Sequence, residues 1–223
     1  MIDINKMLNS IENKLINTFK ERLIFFGLQG SRARGEESEN SDIDIVVILD
    51  KLSINDLKNY KEIISSFEHN NLFCGFISGM EEIKNWEKSD LFQFYFDTLP
   101  IYGSLDFLKP LIKKEDIKRA VLLNACNTYH MTVHNFLYEE SNDILFSLYK
   151  SMSFCIKAKY YLKTNKYIHK NTDLMEKIEN EDKNIINTFF YLKKNNHIDD
   201  LQFERYTNNL MEYTKSLIDL YNI

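Results

Sequence analysis

The sequence predicts an α+β protein in which a mixed sheet flanked by helices is followed by a C-terminal α-helical bundle. Two segments rich in apolar and β-branched residues, 23–28 and 43–49, are typical of buried strands. From residue 114 onward the apolar residues recur at helical spacing. Glycine is absent after Gly103 and the last proline is Pro110, so little interrupts a helical second half. We therefore predict two domains, 1–108 and 109–223.

The predicted first domain alternates helices and strands. An amphipathic helix over 2–20 precedes the first strand. Ser53 and Asp56 form a variant capping box at the start of a helix that runs to about His69. The other predicted elements are a short helix over 80–88 and the strands 23–28, 43–49, 72–78, 91–96 and 99–102, with a turn or bulge near Pro100.

The predicted second domain is a helical bundle with short breaks rich in Asn and Lys. Its helical patterns cover residues 114–140, 142–163, 171–195 and 198–221. No internal repeat or low-complexity linker is present in the sequence.

Composition excludes several classes of protein. The 223 residues are 44% hydrophobic and 13% aromatic, which excludes a disordered or fibrous chain. The net charge of −5 argues against long nucleic acid as a partner. No stretch approaches the roughly 18 apolar residues of a membrane span. The N-terminus lacks the basic start and apolar run of a signal peptide, so we expect a cytoplasmic protein.

Three cysteines, Cys74, Cys126 and Cys155, lie far apart in the sequence. They form no pair or cluster with zinc-binding spacing, and their number is odd. We expect them to be reduced and mostly buried.

Two carboxylates stand at the head of the segment 43–49. Asp42 and Asp44 are two residues apart, so both side chains point to one face of the sheet. Like charges at this separation repel unless a cation lies between them. Carboxylates are hard ligands that suit Mg²⁺, with phosphate oxygens and water completing its coordination. The alternative is a solvated strand end with a turn aspartate, which an isolated Asp-x-Asp would favour.

A glycine turn precedes these carboxylates by about ten residues. Gly30 lets the backbone approach a ligand closely, and Ser31 offers a hydroxyl to a terminal phosphate. Arg32 and Arg34 can add charge-assisted contacts to phosphate, or they can be solvated loop charges. A phosphate cradle and metal-binding carboxylates on neighbouring strands are what triphosphate chemistry requires.

This arrangement resembles the DNA-polymerase-β-like nucleotidyltransferase superfamily. The resemblance rests on Gly-Ser, about ten residues, then Asp-hydrophobic-Asp-hydrophobic, with Arg-Ala-Arg-Gly after the serine. It is most similar to the minimal nucleotidyltransferases and the bacterial antibiotic nucleotidyltransferases, over about residues 23–49 and more weakly to about 105. It implies that Gly30 and Ser31 hold an NTP, which we expect to be ATP, and that Asp42 and Asp44 hold Mg²⁺ or Mn²⁺.

Two features depart from the family pattern. Gln29 stands where an apolar residue is usual. Active members generally take a third carboxylate from the strand after the intervening helix, and the segment 72–78 contains no acid. Asp97 can supply it from another direction, or it is a strand-end residue before Pro100. Glu139 or Glu140 in the helical half can act as base towards an acceptor hydroxyl.

A polar stripe runs along the helical pattern 114–140. His130 and His134 lie four residues apart and share a face with Asn127. This spacing can hold zinc, but no third ligand has the right position. We regard Asn127, His130 and His134 as a candidate acceptor pocket, or as a polar face without a ligand.

The sequence therefore favours a metal-dependent enzyme that transfers a nucleoside monophosphate from an NTP to a hydroxyl of a small aminoglycoside-like acceptor, with release of pyrophosphate. The missing acid favours an alternative, a nucleotide-binding or regulatory module with weak catalysis. A protein-adenylylating transferase, as among antitoxin-like relatives, stays open. The family resemblance also allows a homodimer.

Overall fold

The computed structural model describes residues 3–38, 41–195 and 197–222. It divides into two compact units, Met1–Ile112 and Lys113–Ile223. The first unit contains a mixed four-stranded sheet with helices, and the second unit is helical, so the predicted fold class is confirmed. None of the helices in the described part of the chain combines the length with the apolar character that crossing a membrane requires.

The sheet of the first unit has the strand order β3-β2-β1-β4. β1 pairs antiparallel with β2 and β4, whereas β2 pairs parallel with β3. Its strands are β1 (Leu23–Leu28), β2 (Ile43–Leu49), β3 (Phe73–Gly79) and β4 (Leu99–Tyr102). Its helices are α1 (Ile4–Phe19), α2 (Gly30–Arg34), α3 (Ile54–Ser65), α4 (Met80–Asn85) and α5 (Lys88–Asp97).

Both faces of the sheet are covered, which explains the nearly continuous apolar sequence of β2. Ile43, Ile45 and Val47 pack in a core with α1 and α3. On the opposite face Val46 and Ile48 are fully buried in a second core with Leu91 of α5. A strand buried on both faces loses the polar and apolar alternation of a half-exposed one.

The strand predicted over 91–96 is wrong, because these residues belong to α5. Leu91 and Phe92 are buried, and the rings of Phe92 and Phe96 lie 5.1 Å apart, one helical turn along. The aromatic run has high strand propensity. Its apolar residues are also spaced so that one face of a helix can pack on the sheet, and this burial outweighs the strand propensity. Asp97 is consequently the last residue of a helix.

The strand β4 does contain Pro100, and its pairing with β1 is irregular there, since Phe26 faces Tyr102 and Gly27 faces Pro100. A proline is tolerated because β4 is an edge strand of the sheet.

Within residues 113–195 and 197–222, the second unit contains four long α-helices and one short one. They are α6 (Lys114–His134), α7 (Asn142–Thr164), α8 (Asn171–Met175), α9 (Asn180–Lys194) and α10 (Asp200–Tyr221). α6 packs against α7 and α10, and α7 packs against α9. The Tyr149 hydroxyl is buried between helices and donates to the Tyr206 carbonyl at 2.9 Å. The single helix predicted over 171–195 is instead two helices, α8 and α9.

The helix predicted over 114–140 also ends early. A π-helical turn, Asn135–Glu139, follows α6 and closes with Glu140 in the left-handed region at φ 49°. The buried Asn135 amide donates to the Ser141 carbonyl and accepts from the Ser141 N–H, both at 3.0 Å. Ser141 in turn caps α7. The π turn therefore replaces the last predicted turn of α-helix.

Two of the three cysteines are exposed, contrary to the expectation that most are buried. Cys74 and Cys126 are exposed, and only Cys155 is buried. Burial raises the pKa of the Cys155 thiol to about 12.

Arg22 and Asp56 connect the ends of β1 and β2 to α3. The Arg22 guanidinium donates to both Asp56 carboxylate oxygens at 2.8 and 3.0 Å and to Asp50 at 2.9 Å. Asp56 also accepts from the Ser53 N–H, which completes the predicted capping box. The Arg22 hydrogen bonds are the main reason that the Asp56 pKa falls to about 2.

We expect Asp56→Asn to lower the free energy of unfolding by about 1–3 kcal/mol near pH 7, because it removes a charged partner from Arg22. The pKa of Asp56 is lower in the folded protein than its unfolded value of 3.8, so the ionised carboxylate stabilises the folded state above about pH 4. This stabilisation is lost as the pH falls towards 2. Urea unfolding at several pH values measures this. Asp50→Asn, at the exposed end of the same network, is the control and should change stability by at most about 1 kcal/mol.

Gly75 permits the close contact between β3 and β2. It has φ 143°, and a Cβ there would lie 1.9 Å from the Ile45 carbonyl oxygen. We expect Gly75→Ala to destabilise the protein by about 2 kcal/mol or more, since the clash is with backbone. Gly79→Ala, whose Cβ would meet mainly the mobile end of Glu82, should destabilise less. Equal losses in thermal unfolding would contradict this account.

Candidate active site

The predicted site residues of the first unit lie where β1 ends beside the start of β2. The two strands are antiparallel, and Leu28, the last residue of β1, pairs with Ile45. Beyond the strand, the Gln29 N–H donates to the Asp44 carbonyl at 2.7 Å. Gly30 follows directly as the first residue of α2. The strand pairing therefore fixes the glycine turn against Asp44.

Gly30 approaches the Asp44 carboxylate more closely than any other residue type permits. Its φ is 72°, and a Cβ built on it would lie 1.8 Å from Asp44 Oδ2. A side chain at this position would occupy the space of the carboxylate itself. The sequence predicted that Gly30 lets the backbone approach a ligand closely. In the structure the group closest to it is the Asp44 carboxylate, which is predicted to hold metal.

Asp42 and Asp44 flank Ile43, which is fully buried. Asp42 precedes the strand and is exposed, whereas Asp44 is partly buried within it. Two carboxylates at a solvent-accessible strand end suit a divalent ion that also keeps water or phosphate ligands. The donor set therefore fits Mg²⁺ or Mn²⁺.

The two arginines predicted to contact phosphate have partners within the protein. Arg32 donates to the Ser41 carbonyl at 2.8 and 3.1 Å and to the Asp42 carbonyl at 3.1 Å. Arg34 is buried and forms an ion pair with Glu36 at 3.1 Å. Arg32 thus holds the backbone that carries Asp42.

Asp97 is buried at the end of α5. The adjacent Thr98 hydroxyl accepts from the Gln29 side-chain amide at 2.6 Å. Gln29, which appeared in the sequence only as a departure from a family pattern, therefore connects α5 to the turn. In the sequence, a polar side chain at the end of a predicted strand is the feature that indicates this connecting role.

Among the residues that the structure describes, no three His, Cys, Asp or Glu side chains are arranged to hold a metal ion. The assignment of Asp97 as a third ligand beside Asp42 and Asp44 stays a prediction, and Asp97 is the last residue of a helix instead of a strand.

The predicted residues of the second unit form an open stripe. Asn127 and His130 are exposed on α6, and Glu139 is exposed in the π turn. The His130 and His134 rings lie 6.4 Å apart, and the His134 and Tyr138 rings 5.1 Å apart. His134 Nδ1 is buried and has no hydrogen-bond partner among the described residues. This stripe belongs to no metal cluster among the described residues.

Comparisons with known proteins bear on the family and the fold. The family model Polymerase beta, Nucleotidyltransferase matches residues 13–76. A search of the curated proteins finds no match. Among solved structures, the fold is similar to that of spectinomycin adenyltransferase AAD(9) from Enterococcus faecialis, solved with ATP and spectinomycin. That similarity has a TM-score of 0.52 at 17% identity and covers 92% of this chain and 98% of the other.

The matched residues 13–76 include Gly30, Ser31, Asp42 and Asp44. The structural similarity extends over both units and shows the fold. The chain therefore carries a nucleotidyltransferase domain of the DNA-polymerase-β-like superfamily, followed by a C-terminal helical region.

Proposed function

We propose that this protein transfers a nucleoside monophosphate from an NTP, with ATP as the preferred donor, to a hydroxyl of a small-molecule acceptor. Pyrophosphate is the leaving group. The observation that carries the proposal is the contact of the Gly30 backbone with the Asp44 carboxylate. In this proposal the Gly30 turn binds the triphosphate and the Asp44 carboxylate binds the metal, so the contact places the two binding groups next to each other.

Asp42 and Asp44 are the residues that would hold Mg²⁺ or Mn²⁺. A divalent ion bound there would neutralise charge on the phosphates and favour attack by the acceptor oxygen. The protein's own contribution is positioning, because Arg32 fixes the backbone of Ser41 and Asp42. Pre-organised carboxylates need little rearrangement when the NTP binds.

Gly30 and Ser31 would bind the triphosphate at the start of α2. Gly30 carries no side chain, so phosphate oxygens can approach its backbone, and Ser31 is only partly buried. Arg32 and Arg34 would contribute positive charge close to the same turn.

The acceptor class proposed is an aminoglycoside-like small molecule with hydroxyl and amino groups. The similar structure is that of a spectinomycin adenyltransferase, and the net charge of −5 favours a cationic acceptor. Asn127, His130 and His134 would contact it through an exposed polar face, and Glu139 would accept the proton of its hydroxyl. A homodimer is compatible with this function.

A second candidate function is nucleotide binding with weak catalysis. The observation that favours it is the lack of a three-carboxylate set among the described residues. Such a protein would respond to nucleotide as a regulatory module. Both functions predict binding of the nucleotide, but only the transferase predicts substantial release of pyrophosphate.

We expect ATP with Mg²⁺ to raise the melting temperature of the wild-type protein by several degrees, since a ligand at 100 times its Kd adds about 2.7 kcal/mol of stability. Asp42→Asn with Asp44→Asn should abolish this shift. Asp50→Asn, an exposed carboxylate just beyond β2, is the matched control and should retain it. No shift with any of the four NTPs would contradict the proposal.

We expect Glu139→Gln to reduce pyrophosphate release with ATP and spectinomycin by roughly 100-fold, because removal of a general base typically lowers the rate by that order. The thermal shift with ATP should stay unchanged, which separates catalysis from binding. Glu204→Gln, exposed on α10, is the control. Nucleotide binding without release of pyrophosphate for any hydroxyl acceptor would favour the regulatory module.

A further inference from the structure

Gln29 occupies the position between the last residue of β1 and the Gly30 turn. β1 pairs antiparallel with β2 on one side and with β4 on the other. Continuing both registers by one residue past the end of β1 places Gln29 between Asp44 and Thr98. Gln29 is therefore the residue at which the chain leaves the sheet and enters the candidate phosphate-binding turn.

Gln29 makes a hydrogen bond to each of these two neighbours, with a different part of the residue in each case. Its backbone N–H donates to the Asp44 carbonyl at 2.7 Å. Its side-chain amide donates to the Thr98 hydroxyl at 2.6 Å. On the β4 side the connection is thus made by a side chain, at the point where Gly30, with φ 72°, turns the chain into α2.

The direction of the side-chain hydrogen bond is fixed by Thr98. The Thr98 hydroxyl has one hydrogen, and it donates that hydrogen to the Phe94 carbonyl of α5. The hydroxyl oxygen can therefore only accept from Gln29, which must present its amide NH₂ group. Thr98 is buried, so water competes little for these two bonds. A polar residue at position 29, where an apolar one is usual in the family, has a specific partner here.

The far end of this chain of hydrogen bonds belongs to a packed part of the first unit. The Phe94 ring lies 5.1 Å from the Phe76 ring of β3, and both pack against the core that contains Val46. Movement of α5 relative to the sheet would disturb this packing. The turn, by contrast, leads into α2, which has only five residues and is too short to be stable by itself. The hydrogen bond to Thr98 therefore joins a weakly held segment to a firmly held one.

We propose that Gln29 is a positioning residue for the nucleotidyl transfer, and that it acts through its side-chain hydrogen bond to Thr98. This bond holds the Gly30 turn beside Asp44, so that a triphosphate on the turn meets the metal on the carboxylate. The inference rests on the proposed function. Loss of the bond would leave the charged groups that attract the NTP in place and would disturb their alignment. A misplacement of about 1 Å is enough to lower a rate by roughly 100-fold.

The first test measures pyrophosphate release from ATP with spectinomycin. Thr98→Val has nearly the same shape without the hydroxyl, and we expect it to lower kcat roughly tenfold or more while KM for ATP rises less than about threefold. Thr98→Ser keeps the hydroxyl and should keep the wild-type kcat. Gln29→Leu should also lower kcat, and the double variant should lose no more than Thr98→Val alone, because both changes remove the same bond. A wild-type kcat in Thr98→Val, or additive losses in the double variant, would overturn the proposal.

The second test needs no substrate. Hydrogen exchange of the segment 29–35 is followed by mass spectrometry in the protein without nucleotide. We expect Thr98→Val and Gln29→Leu to accelerate exchange in this segment roughly tenfold, since the turn opens more often, whereas Thr98→Ser should exchange like the wild type. Segments of α7 in the second unit are the internal control and should not change. Equal exchange of segment 29–35 in all four proteins would contradict the inference.

The two tests separate the inference from the proposed function. Turnover by the wild-type protein that Thr98→Val leaves intact would overturn the inference and leave the function standing. Faster exchange of segment 29–35 in Thr98→Val, without pyrophosphate release by the wild-type protein, would support the role of the hydrogen bond in holding the turn and contradict the proposed function.

Discussion

The close approach of the Gly30 backbone to the Asp44 carboxylate is the constraint on which the candidate site depends. It requires the antiparallel pairing of β1 and β2, because the turn after one strand must meet the start of the other. The pairing in turn depends on the two cores that bury β2 on both faces. Apolar packing thus positions a polar site that contributes little to stability itself.

The surrounding polar side chains connect elements that meet at this point. Arg32 holds the backbone before β2, and Gln29 connects the end of β1 to Thr98 after α5. At the opposite end of the same strands, Arg22 holds the Asp50 and Asp56 carboxylates. The strands β1 and β2 are therefore fixed by guanidinium hydrogen bonds at both ends, which restricts movement of the carboxylates relative to the glycine turn.

The sequence predicted the fold class, and it predicted β1, β2 and the capping box of α3 with their observed residues, because each depends on local patterns. It also identified the family from Gly30, Ser31, Asp42 and Asp44. It failed at α5, where an aromatic run of high strand propensity packs as a helix that ends at Asp97. The internal partners of Arg32 and Arg34 and the hydrogen bond of Gln29 to Thr98 arise from contacts between separate segments, which local patterns do not contain.

The π turn after α6 has a consequence for how the helical region can vary among related sequences. A π turn contains one residue more than an α-helical turn, and one residue corresponds to a rotation of about 100°. Loss of a single residue within Asn135–Glu139 would therefore turn Tyr138 and Glu139 to another side of the helix. The buried positions of α6, such as Val121, Ala125 and Thr128, all precede the turn and would keep their packing. Insertions and deletions in this turn would therefore reorient these two side chains and leave the packing of the bundle unchanged.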